Sequence, residues 1–372
     1  MLINTSHASS TLTDITDPPT KKPSKSIGAI PLTATLVNML LSTSPFSLPY
    51  ALINGGLILG LLIFFLSTFL ALNSADMMIE SLGIGCALQW SDTEKCEFEE
   101  SKFDRKINHS RYFIKKKLEL FGLSSTVVNK VFGMITITFL CAFLIGSMLV
   151  KCVSSSNSLS KAWMFSMYGN MDYEPSDWML SPYHFAILIF ALITSIFALG
   201  NIEGSKFLQV SISALRFLMI YWMILCSIYA IAKYGAADIM KLKFFDFSKI
   251  DYLMSNLIFT TFMHHSVPGM CYPLRPQTRL KATFINSYVL HAVILLVHCI
   301  LGIIAFGERE NGCNVFPCKI QIMFNLSFLS LPIVGPTVQF FPALAIAVIP
   351  VLAITFRSNI LQLLGKSTTA VN

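Results

Sequence analysis

Residues 33–56 read TATLVNMLLSTSPFSLPYALINGG, an apolar run interrupted near its middle by Ser42-Thr43-Ser44-Pro45. At 1.5 Å of rise per residue, roughly 20 apolar residues cross a ~30 Å hydrocarbon core as a helix, and this run has that length. Pro45 has no amide hydrogen and cannot complete the helical ladder, while the three hydroxyls before it can bond to the backbone groups a break sets free. The spacing therefore predicts a membrane helix with an unwound centre, whose exposed N–H and C=O ends suit a carboxylate and a cation. A proline kink held by neighbouring helices is the alternative for this run taken alone. A second interruption decides between them. Residues 254–276 read MSNLIFTTFMHHSVPGMCYPLRP, with His264, His265, Pro268 and Gly269 inside an apolar stretch. Two broken helices five spans apart point to an inverted-repeat transporter with its site where the breaks meet.

The rest of the chain fits a membrane. Of its 372 residues 54% are hydrophobic and 13% charged, about half the charge of an ordinary soluble domain, and the mean hydropathy is +0.65. The apolar runs are continuous, not alternating, which excludes a β-barrel and predicts an all-α, polytopic helical bundle. The net charge of +7 comes from Lys and Arg in the tail and connections. No basic face accompanies it, so it points to topology and not to nucleic acid. Residues 1–27, rich in Ser, Thr, Pro and Lys, read as a disordered cytosolic tail without a cleavable signal. Spans are expected near 30–52, 56–81, 128–152, 182–200, 207–232, 253–273, 283–306 and 337–357. The transporter domain then covers 28–365, followed by a short cytosolic tail at 366–372. The stretch 320–334 reads as surface-lying or re-entrant. The cluster Lys95, Lys102, Arg105, Lys106, Arg111, Lys115, Lys116 and Lys117 puts the N-terminus and the long loop after span two in the cytosol. Lys241, Lys243 and Lys249 fall on the opposite side, interleaved with Asp238, Asp246 and Asp251.

Ionisable residues at membrane depth are costly, so His264 and His265 are functional candidates, with a hydrogen bond to a neighbouring carbonyl as the alternative role. Neighbours on a helix point about 100° apart, so the two rings face different sides and form no metal pair. Asn38 lies one turn before the break, on the side of Ser42. Arg216 is expected to snorkel toward the interface, and Asp76 and Glu80 to be solvated at the end of span two. Cys313 and Cys318 share a loop and form a disulfide if it faces an oxidising compartment. Hydrolase, metalloprotease, P-loop and Rossmann signatures are absent; neither a catalytic residue, a metal site nor a cofactor is expected.

At its two breaks the sequence resembles the amino acid/auxin permease family, which includes the neutral amino acid transporters of solute carrier family 38. Span one keeps the frame of that family's motif in Asn38, Ser42, Ser44, Phe46 and Pro49, with serines where the family has glycines. Span six matches in Phe262, His265 and Tyr272, span seven in Gly302, Phe306 and Gly307, and span eight in Pro350 and Phe356-Arg357-Ser358. The resemblance implies a LeuT-like fold of two inverted five-helix repeats, the second incomplete because the chain ends after eight of about eleven spans. It implies substrate contacts at Asn38, Ser42, Thr43, Ser44, Pro45, His264 and His265, and places Asn38 in an ion site. The hydroxyl that sodium-coupled members carry two positions before the span-eight proline is here Val348. An apolar side chain offers sodium no oxygen, so a proton at His265 or plain exchange stands beside sodium as the coupling mode.

The expected activity is secondary active transport of a neutral amino acid across a plasma or endolysosomal membrane. The alternative is a non-transporting amino acid sensor or membrane scaffold docking through its charged loop near 91–118. The bilayer is the expected surrounding, and the oligomeric state is left open.

Overall fold

The computed structural model describes residues 26–88, 114, 117–169, 181–200, 202, 204–238, 241–307, 309, 316–328, 330–331 and 333–364. The helices are α1 (Ala29–Leu40), α2 (Ser44–Gly55), α3 (Leu57–Leu88), α4 (Leu120–Val127), α5 (Lys130–Tyr168), α6 (Pro182–Leu199), α7 (Lys206–Tyr234), α8 (Ile250–Thr261), α9 (Val267–Cys271), α10 (Leu280–Phe306), α11 (Val334–Gln339) and α12 (Val348–Leu363). The loop expected to dock partners lies outside the described residues except for Ile114, Lys117 and Leu118. The tail at 366–372 lies outside them too.

Among the described residues six helices are long and apolar enough to cross a membrane, seven when α1 and α2 count as one span bent by 42°. The expected sixth span, 253–273, consists of α8, a 3-10 turn at His264–Ser266 and α9, each too short to cross by itself. Span eight runs through α11, a 3-10 stretch at Phe341–Ala347 and α12. Large apolar side chains stand exposed along the outer faces, among them Leu62, Phe65 and Phe69 on α3, Phe139 on α5, Leu192 on α6 and Leu218 on α7. An apolar belt of that extent needs hydrocarbon around it. The chain is an integral, multi-pass membrane protein.

Packing places α1 against α7 and α10, and α2 against α8. The two broken spans therefore meet inside the other helices. The turn between spans one and two is closed by the loop at 241–249: Leu57 N–H donates to Lys243 O (3.0 Å) and Asp246 N–H to Gly55 O (3.3 Å). Gly56 sits at φ +96°, and a Cβ there would lie 2.8 Å from the Phe244 oxygen, so only glycine fits. The cations of this loop are offset locally. Lys243 Nζ lies 2.5 Å from Asp246, and that bond holds the Asp246 carboxyl down to about 2.

Three expectations need correction. The tail was expected to be disordered through residue 27, but Ile27 is buried, donates to Pro273 O (2.9 Å) and accepts from Arg275 N–H (3.1 Å); pairing to the end of span six orders it. The stretch 320–334, read as surface-lying or re-entrant, is not surface-lying at its centre but turns inward. Phe324 and Phe328 are buried against Phe306, and Gly302 leaves room for the Phe324 ring. Asp76 is not simply solvated, because it forms an ion pair with Lys281 that joins α3 to α10; Glu80 is exposed as expected. Cys318 is disulfide-bonded, its partner lying outside the described residues, as Cys313 does.

Candidate functional site

Span one breaks between Leu40 and Ser44. Leu41 N–H still reaches Val37 O (2.8 Å), and Phe46 N–H donates to Thr43 O (3.3 Å). The amides of Ser42, Thr43 and Ser44 lie outside both ladders and donate to no backbone carbonyl among the described residues, while Pro45 opens α2 without an amide hydrogen. Ser44 Oγ donates to Leu40 O (2.8 Å). The carbonyls that the break frees are thus capped by side chains: His298 Nε2–H of α10 donates to Pro45 O (2.9 Å), and Arg216 Nη1 of α7 to Asn38 O (2.8 Å). Three successive amides are thus left without a backbone acceptor among the described residues at the break.

Span six breaks at Phe262–Met263. Thr261 O accepts from the Tyr288 hydroxyl of α10 (3.3 Å). The two histidines diverge, as their spacing requires. His264 Nε2–H donates to Ala71 O of α3 (2.9 Å), which is the carbonyl bond weighed as its alternative role. His265 is 5% exposed and packs its ring 5.1 Å from Phe143 of α5 and 5.8 Å from Phe262. Neither of its nitrogens has a partner among the described residues.

Asn38 is held by α7. Its Nδ2 donates to Gln209 O (2.8 Å) and Oε1 (3.2 Å) on α7, and its Oδ1 is buried without a partner. Gln209 Nε2 in turn donates to Ala347 O (2.6 Å), so one amide chain links spans one, five and eight. Arg216 does not snorkel. It is 1% exposed, and its second nitrogen donates to Leu344 O (2.8 Å); the fork fits two carbonyls from two broken elements, which the interface does not offer. Val348 is buried in the apolar core.

Sequence reasoning missed Lys151. The expected third span ends at 152, next to Lys151, but α5 continues to Tyr168 and Lys151 is 4% exposed. Its Nζ donates to Ser42 Oγ (2.6 Å) and lies 5.1 Å from the centre of the Phe259 ring of α8. Glu119, ahead of α4, was missed too. This carboxylate is 1% exposed beside Gly269 of α9 and 3.3 Å from Lys117. Burial pushes its pKa above the ordinary carboxylate range, against the opposing pull of Lys117.

No protein-family model matches the chain. Among curated proteins it is similar to the "Transmembrane protein 104 homolog" of Dictyostelium discoideum, 23% identical over 380 residues, covering 88% of this chain and 74% of that protein. Its Caenorhabditis elegans namesake is 20% identical over 340 residues, covering 87% and 66%. "Transmembrane protein 104" of Homo sapiens is 21% identical over 372 residues, covering 87% and 72%. The chain thus spans about two thirds to three quarters of the length of these relatives. Among solved structures it resembles MhsT in complex with L-phenylalanine, with a TM-score of 0.59 and 14% identity over 93% of this chain and 76% of that one. The fold is therefore a LeuT-like helical bundle, and its two broken spans occupy the centre of it.

Proposed function

We propose that the chain serves secondary transport of a neutral amino acid, with the substrate carboxylate at the amides of Ser42, Thr43 and Ser44 and with His265 shaping the opposite wall. The observation that carries this reading is the run of three amides without a backbone acceptor among the described residues at the span-one break, in a bundle whose sixth span is broken too. That arrangement sits in the fold of a protein solved with an amino acid bound. The frame of Asn38, Ser42, Ser44 and Pro49 and the set Phe262, His265 and Tyr272 favour the amino acid/auxin permeases as the group to which this activity belongs, and a plasma or endolysosomal membrane as its place.

The contacts between spans one, five and eight bear on the coupling ion. Sodium takes oxygen ligands, yet Val348 is apolar, and the Asn38 and Leu344 carbonyls receive the Arg216 guanidinium. These contacts support transport independent of sodium, by proton coupling or exchange. Uptake of labelled neutral amino acids into vesicles carrying the full chain tests the reading. Saturable uptake that survives replacement of sodium by choline is expected; a chain that neither binds nor moves any neutral amino acid would sink it. Asn38→Ala is expected to weaken binding, and unchanged binding would remove Asn38 from the site.

A further inference from the structure

Two cations are buried beside the span-one break, and neither has an acidic partner among the described residues. Glu119 is the one buried carboxylate described, and it pairs with Lys117. Arg216 spends two nitrogens on the carbonyls of Asn38 and Leu344. Lys151 is different. Its ammonium has three N–H donors, of which one meets Ser42 Oγ, and it lies over the face of Phe259. Charge taken from water without a counter-ion is costly, and a fold keeps it where a partner arrives. Lys151 ends at the residue that opens the run of three unpaired amides, so ammonium and amides converge on one place.

The surroundings favour an anion further. His265 lies within electrostatic reach of Lys151 and presents two unpartnered ring nitrogens. Phe143, Phe259 and Phe262 supply apolar surface on the same side. No described carboxylate stands ready there to receive a substrate ammonium. We infer that Lys151 is the ionic anchor of the site, and that the ligand class is a carboxylate with an apolar body, recognised through its carboxylate whether or not it bears an amine. The ligand carboxylate takes the place of Ser42 Oγ on the Lys151 ammonium and accepts from the amides of Ser42 to Ser44. This inference rests on the transport reading only for the place of the ligand.

The test uses the purified full chain in lipid nanodiscs and two matched probes: 4-methylpentanoate, which has a carboxylate and no amine, and 3-methylbutylamine, which has an amine and no carboxylate. The carboxylate is expected to raise the unfolding temperature in a saturable way, and the amine to leave it unchanged. Lys151→Met should weaken the apparent affinity for the carboxylate by about tenfold or more, and Lys151→Arg should keep most of it. An amine that shifts the native chain as strongly as the carboxylate overturns the assignment, as does no shift with either probe or full affinity in Lys151→Met. The contrast between the probes needs no variant, so a Lys151→Met chain that fails to fold leaves the test intact. A Lys151-dependent carboxylate shift without amino acid uptake would keep the anchor and remove the transport reading. Uptake of amino acids with no preference for the carboxylate probe would do the reverse.

Discussion

A guanidinium that caps carbonyls from two different spans acts as a fork, and its geometry matters beyond its charge. Arg216→Lys keeps the cation but reaches one carbonyl instead of two, so it is expected to lower stability by about 1–2 kcal/mol, read as an earlier unfolding midpoint in detergent. Glu119 makes a pH-dependent case. Its folded pKa stands above the unfolded value of about 4.3, so the stability it contributes is complete below that pH and is lost as pH rises through the raised value. Glu119→Gln should flatten this fall and melt higher than the native chain on the alkaline side. Identical pH profiles for the two would refute the assignment. The break residues Ser42 to Pro45 and His264-His265 were legible because proline and polar groups stand out in an apolar run. Lys151 was not, because a lysine near the end of an apolar run looks like an interface cation until the helix is known to continue.

On the scale of single helices, that continuation has a visible signature. Ser147, Lys151, Ser155 and Ser158 follow i, i+4, i+8, i+11 spacing and are all buried on one face of α5; Ser155 Oγ donates to Pro342 O (2.7 Å) and Ser158 Oγ to Gln339 O. A polar stripe of helical period inside a hydrophobic protein faces protein, not lipid. Gln209, Ser213 and Arg216 form a similar stripe on α7, which is why the snorkelling expectation failed. The inward turn of 324–328 was legible only as one of two alternatives, since it depends on Gly302 of another element. A Cβ at Gly302 would approach Phe324 Cζ to 2.6 Å, and a packed ring has little room to yield. Gly302→Ala is expected to cost about 1–3 kcal/mol, and Phe324→Leu in the same chain to recover part of it, both measured by thermal unfolding.

For the whole molecule, the helical bundle and its broken first and sixth spans followed from hydropathy and proline placement, because the bilayer leaves few alternatives for the backbone; against the eight expected spans, six described helices are long and apolar enough to cross, seven with α1 and α2 taken as one. What joins the helices was hidden, since interhelical bonds such as Asn38 to Gln209 connect residues far apart in sequence. The ion pair of Asp76 with Lys281 joins α3 to α10 at a partly solvated place. Asp76→Asn should therefore change stability by less than about 1 kcal/mol, and a larger loss on thermal unfolding would mean the pair is shielded from water. The segment at Ile27 has a wider use. Because Ile27 is bonded on both sides, to Pro273 and Arg275, the residues next to it are expected to move with the end of span six. Spin labels at Ser26 and Arg279 should then report the same separation with and without bound ligand, giving an internal ruler against which every other labelled pair shows what moves.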